Sequence, residues 1–137
     1  MLRPKLANSL ALLLFNVACV SDPAGHDTSR YGRYALRTIN GEALPGVVVE
    51  NSVARLEFLS GSLRLNRDNS FTDSTDLKVT PTQGAARLVV DEAAGTFRFS
   101  ADTVFLDSTR GEHYYMVFQV AGSLTQELNG SRLVYRK

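Results

Sequence analysis

The sequence has no tryptophan, one cysteine and two histidines among its 137 residues. A single cysteine excludes an internal disulfide, a cysteine-based zinc cluster and an iron–sulfur site. An excess of one charge is also missing: 15 Lys+Arg stand against 14 Asp+Glu, for a formal net charge of +1. Phosphate binding needs a basic field, so nucleic acid is excluded as the main partner. There is no Gly-x-Ser-x-Gly and no glycine-rich phosphate loop. No apolar run is long enough to cross a bilayer as a helix, which takes roughly 20 residues. What is present is an ordinary globular composition, 44% hydrophobic and 21% charged. The length suits one domain.

The N-terminus differs from the rest. Arg3 and Lys5 precede the apolar run Leu10-Ala11-Leu12-Leu13-Leu14-Phe15, and small residues follow. A positive start, a short apolar stretch and a small-residue end describe a secretory signal over residues 1–19. The only cysteine, Cys19, closes it. Val17-Ala18-Cys19 resembles the end of a bacterial lipobox, in which the cysteine is acylated and becomes the new N-terminus. The expectation is an exported protein held to a membrane of the bacterial cell envelope through a lipid on Cys19. Ordinary cleavage near Ala18, giving a soluble secreted or periplasmic protein, is the alternative. Several acyl chains hold a protein stably where one holds it marginally, so triacylation would suffice as an anchor. Loss of Arg3 and Lys5 with the leader leaves 13 basic residues against 14 acidic ones, a net charge of −1. Membrane association then rests on the lipid. Residues 20–29 contain one Pro, one Gly and small polar residues without a period, so they read as a flexible tether that includes His26.

From Tyr31 onward the apolar residues alternate with polar ones. Tyr34 and Leu36, Leu56 and Phe58, Leu63 and Leu65, Phe97 and Phe99, and Val104 and Leu106 each share a face. Tyr114, Met116, Phe118 and Val120 form the longest stripe. Leu124 with Leu128 and Leu133 with Tyr135 follow. A period of two marks strands with one buried side. Asn40-Gly41 and Asn129-Gly130 are the dipeptides of two-residue hairpins. Asn66 to Asn69 and Glu92-Ala93-Ala94-Gly95 read as further turns. The apolar parity flips between Phe58 and Leu63, which predicts one bent strand from Ala54 to Asn66 with a bulge near Gly61. The domain over residues 30–137 is therefore expected to be all-β, an antiparallel up-and-down meander of about eight to ten short strands. Closure into a small barrel removes its edges. A two-sheet sandwich is the alternative.

Several stretches resemble the small lipocalin-like proteins of bacterial envelopes, many of them lipoproteins. They are Gly32-Arg33-Tyr34-Ala35-Leu36 with Asn40-Gly41 and Leu44-Pro45; Ser60 to Asn66 with Ser70-Phe71; Gly95-Thr96-Phe97; and the closing Gly130 to Tyr135. The resemblance implies a lipocalin-like barrel and small-molecule binding.

The residues themselves offer little chemistry. His113 is the only histidine outside the leader and tether, and it shares parity with Tyr115, Val117 and Gln119, so it reads as a rim residue. Asp68, Asp73 and Asp76 lack the glycine and terminal glutamate of a calcium loop and read as solvated turn acids. No catalytic residue, metal site or cofactor is expected, so the chain reads as a non-enzyme. The aromatic residues supply the one site. Tyr34, Phe97, Phe99, Tyr114, Phe118 and Tyr135 share the interior, with the tyrosine hydroxyls and Gln126 as polar handles for a small apolar ligand. The alternative is a filled core in a structural or protein-interaction module of the envelope.

Overall fold

A computed structural model describes residues 28–119 and 122–137. The leader, Cys19 and His26 lie outside the described residues. Ten strands follow a single 3-10 turn at Thr28–Arg30: β1 Gly32–Ile39, β2 Glu42–Ala43, β3 Gly46–Glu50, β4 Ala54–Leu65, β5 Ser70–Pro81, β6 Arg87–Ser100, β7 Thr103–Ser108, β8 His113–Phe118, β9 Ser123–Leu128 and β10 Ser131–Arg136. No α-helix occurs among the described residues. Every strand pairing is antiparallel, and eight strands close a ring in the order β1, β10, β9, β8, β7, β6, β5, β4. The all-β meander thus closes into a small barrel, lipocalin-like in architecture.

The ring closes through a short seam. β1 meets β4 only from Gly32↔Leu65 to Ala35↔Ser62. Beyond it the two strands part; β2 pairs with the end of β1, and β3 pairs with the start of β4. The Asn-Gly turns form as their backbone chemistry requires. Asn40 and Gly41 have φ of 54° and 87°, and Asn129 and Gly130 have 51° and 78°, the paired positive values of a two-residue hairpin.

β4 is continuous and bent. Its register against β5 shifts between Phe58 and Ser60. Leu59 is the extra residue, so Phe58 on one side of the bulge and Leu63 on the other both reach the core. Glu92-Ala93-Ala94-Gly95 is not a turn. β6 runs straight through it, paired to β5 from Arg87 to Thr96. Gly95 serves another purpose: a Cβ on it would lie 2.0 Å from the Asp107 carbonyl oxygen, so the bare backbone lets β7 come close.

The barrel is filled at one end and open at the other. At the filled end Phe97 and Phe99 pack with ring centroids 5.1 Å apart, Phe99 meets Phe118 at 5.8 Å, and Tyr34 meets Phe118 at 6.3 Å. The segment entering the barrel caps this cluster. The Arg30 guanidinium lies 4.8 Å from the Phe118 ring centroid and donates to the Ala101 carbonyl at 2.6 Å. Tyr34 donates its hydroxyl hydrogen to the Arg30 carbonyl at 2.7 Å. Lys137 donates to the carbonyls of Ser29 and Tyr31. Mid-barrel, Leu63, Leu106, Met116, Leu124 and Leu133 are fully buried.

Candidate functional site

The open end owes its shape to two strand irregularities. β8 and β9 pair only at Val117↔Thr125 and Phe118↔Leu124. From Met116 back to His113 the wall between them is unpaired. On the opposite side, β4, β5 and β6 continue past the end of β7, since the β6–β7 pairing begins at Gly95↔Ser108 while β5 and β6 stay paired out to Val79↔Arg87. The result is a cleft of about 290 Å³ beneath the overhanging sheet. Apolar walls come from Phe58 on β4, Leu77 on β5 and Leu128 on β9. Tyr114, Gln126 and Tyr135 supply polar atoms, and Arg110, Glu112 and His113 stand at the rim.

Asp73 projects into this cleft. On β5 the odd positions Phe71, Asp73, Thr75 and Leu77 share the inward face, so the acid is carried inside by the same alternation that buries Phe71. Its Oδ2 accepts a hydrogen bond from the Tyr114 hydroxyl at 3.2 Å. Its Oδ1 is buried and has no hydrogen-bond partner. Burial raises the carboxyl from 3.8 to about 6. The Tyr114 hydrogen bond opposes that rise, and the charge of Asp91 adds to it. Burial also lifts the Tyr114 and Tyr135 phenols well above their ordinary range, with the Asp73 charge acting in the same direction. Both phenols therefore remain neutral donors near pH 7. Reading Asp73 as a solvated turn acid was mistaken. Asp68 does sit in a turn, where it accepts from the Ser70 amide at 2.9 Å, whereas Asp76 is exposed but lies within β5, not in a turn, and accepts from the Ser60 hydroxyl.

The rim carries a small ion network. Arg110 reaches Asp91 and Glu112, each at 3.0 Å, and His113 Nδ1 lies 2.7 Å from Asp107 on the exposed outer face. The described residues contain no group of three or more His, Cys, Asp or Glu placed to hold a metal ion. A second groove of about 470 Å³ runs over β5 and β6 and shares Asp73, Ala93 and Arg110 with the cleft.

The seven residues expected to bind a ligand divide into two groups. Tyr114, Gln126 and Tyr135 line the cleft. Tyr34, Phe97, Phe99 and Phe118 pack together in the filled end, away from it. Cys19 lies outside the described residues. The shared inward parity of Tyr114, Met116 and Phe118 holds: Met116 is fully buried, and Tyr114 and Phe118 pack against the core. Asp73 is the residue that sequence reasoning missed. The signal was present in Phe71-x-Asp73-x-Thr75-x-Leu77, an odd-numbered stripe interrupted by two polar residues.

No model of a known protein family matches the chain, and no curated protein shows significant similarity to it.

Proposed function

We propose that this is an exported, lipid-anchored, non-catalytic binding protein whose barrel takes a small molecule at its open end. The ligand has an apolar body and one strong hydrogen-bond donor, of which a protonated amine is the best match. The observation that carries this reading is the unpartnered Oδ1 of Asp73 beside the cleft. A buried acceptor without a donor costs about 1–3 kcal/mol, more when charged. A ligand cation at that point would recover the cost and add a charge-assisted hydrogen bond. The apolar walls at Phe58, Leu77 and Leu128 would take the rest of the molecule.

Calorimetric titration with primary alkylamines, and with alcohols and carboxylates of matching length, tests the reading. Amines should bind most tightly, with an affinity that rises between pH 5 and 7 as Asp73 ionises. Equal affinity for all three classes, or no uptake of any, refutes it. No uptake would favour a structural or interaction module, in keeping with the packed aromatic cluster at the closed end. The anchor is tested separately: wild-type protein should incorporate labelled fatty acid, and Cys19→Ser should release the domain into the soluble fraction. Failure to incorporate the label removes the lipid while leaving the binding reading intact.

A further inference from the structure

The overhanging part of β6 leaves a strand edge uncovered. β5 pairs with one side of Arg87–Ala93. On the other side the pairing with β7 begins only at Gly95, and no described strand pairs with the stretch before it. The direction of the free backbone groups follows from two hydrogen bonds. The Phe97 amide donates toward β5, to the Asn69 carbonyl, and the Ala94 carbonyl accepts on the β7 side, from the Thr109 amide. Successive residues of a strand alternate in this respect. Odd residues of β6 therefore serve β5, and Leu88, Val90 and Glu92 point their amides and carbonyls outward. The same stretch exposes apolar side chains: Leu88 is 75% and Val90 59% exposed. An apolar edge of this kind is a template for another strand.

We infer that the occupant is a second copy of the same strand, paired antiparallel about a two-fold axis through Val89. The sequence is self-complementary in that register. Leu88 faces Val90 of the other copy, so apolar side chains meet on the outer face. These are the two residues whose backbone groups point outward, so each such pair exchanges both of its hydrogen bonds. Arg87, which has no ion-pair partner among the described residues, faces Asp91 of the other copy on the inner face. Opposite charges directly across a strand pair are favourable. Moving the axis to Val90 would set Leu88 against Glu92 and Val89 against Asp91, losing both matches. A two-fold contact uses the same edge on both partners, so pairing through β6 closes at the dimer. The inference is independent of what the cleft binds.

Sedimentation equilibrium on the full chain carrying Cys19→Ser tests it. A concentration-dependent dimer is expected. Val90→Lys sets an ammonium group against Leu88 of the other copy and should raise the dimer dissociation constant at least about tenfold, with circular dichroism unchanged, and melting unchanged at concentrations where both proteins are monomeric, because the site is exposed in the single chain. The axis is tested by cross-linking. Val89→Cys places two thiols in a directly opposed, non-hydrogen-bonded pair, where Cα atoms lie about 4.5 Å apart, within disulfide range. It should oxidise readily to a covalent dimer, and Leu88→Cys, two residues out of register with itself, should not. A monomer up to the solubility limit, a dimer indifferent to Val90→Lys, a ladder of higher polymers, or preferential cross-linking through Leu88→Cys would each overturn the proposal.

Discussion

Replacing Asp73 with Asn should flatten part of the pH dependence of stability. The folded chain holds the Asp73 proton more tightly than the unfolded chain, because burial lifts the carboxyl from 3.8 to about 6. Its contribution is therefore fully present below pH 3.8 and is lost as the pH rises through about 6. Each tenfold change in proton affinity is worth about 1.4 kcal/mol, so the loss reaches at most about 3 kcal/mol at neutral pH. Asn cannot ionise and escapes that loss. Its amide keeps an acceptor for the Tyr114 hydroxyl but places a second polar group where Oδ1 was, at a cost of about 1 kcal/mol that is the same at every pH. The diagnostic is thus the slope and not the offset. Urea midpoints for both proteins, measured in steps from pH 3 to pH 8, should diverge progressively between about pH 4 and pH 6.5, with the variant gaining as the pH rises. The same variant should lose its preference for amines. Parallel stability curves would refute the reasoning, because they would mean that Asp73 titrates alike in the folded and unfolded chains.

Three further outcomes follow from the packing. Tyr114→Phe removes the one side-chain hydrogen bond to Asp73; it should push the carboxyl above 6, seen by carbon-13 carboxyl titration, and cost about 1–3 kcal/mol at pH 7. Phe118→Ala should cost about 3 kcal/mol in denaturant unfolding, since it leaves a hole between Tyr34, Phe99 and the Arg30 cap, and it should leave amine binding in the cleft unchanged. Gly95→Ala forces a methyl group against the Asp107 carbonyl and should cost about 1–3 kcal/mol, with faster amide exchange in β7 than in β10.

The strands that read clearly in the sequence are those whose inward positions are all apolar. β8 with Tyr114, Met116 and Phe118, and β10 with Leu133 and Tyr135, declare their faces by alternation alone. The two Asn-Gly turns are equally plain, because few other dipeptides tolerate two positive φ values in a row. β5 and the first half of β6 did not declare themselves. Their inward positions include Asp73, Thr75 and Asp91, and the exposed face of β6 carries Leu88 and Val90, so polarity there runs against the usual rule. Each departure coincides with a special feature: the buried acid with the cleft, the apolar outer face with the free edge. Glu92-Ala93-Ala94-Gly95 misled for a related reason. Its small residues and glycine serve the close approach of β7, which no local pattern distinguishes from a turn. The cleft itself depends on where β8 stops pairing with β9, and that depends on tertiary geometry.

The capped end sets where the chain enters the barrel. The chain enters at Arg30, beside Lys137, at the end opposite the cleft. Eight residues, Val20 to Asp27, separate Cys19 from the first described residue, and they span about 27 Å when fully extended. β4, 12 residues long, rises about 30 Å once the tilt of barrel strands is allowed for. In a protein held by a lipid at Cys19, the mouth would be the part of the domain farthest from its leash. A tether of nearly the barrel's own length would leave the mouth free to turn to the surrounding water, and two such neighbours on one membrane would have the reach to meet through their upper rims, like lamps leaning together on short cords.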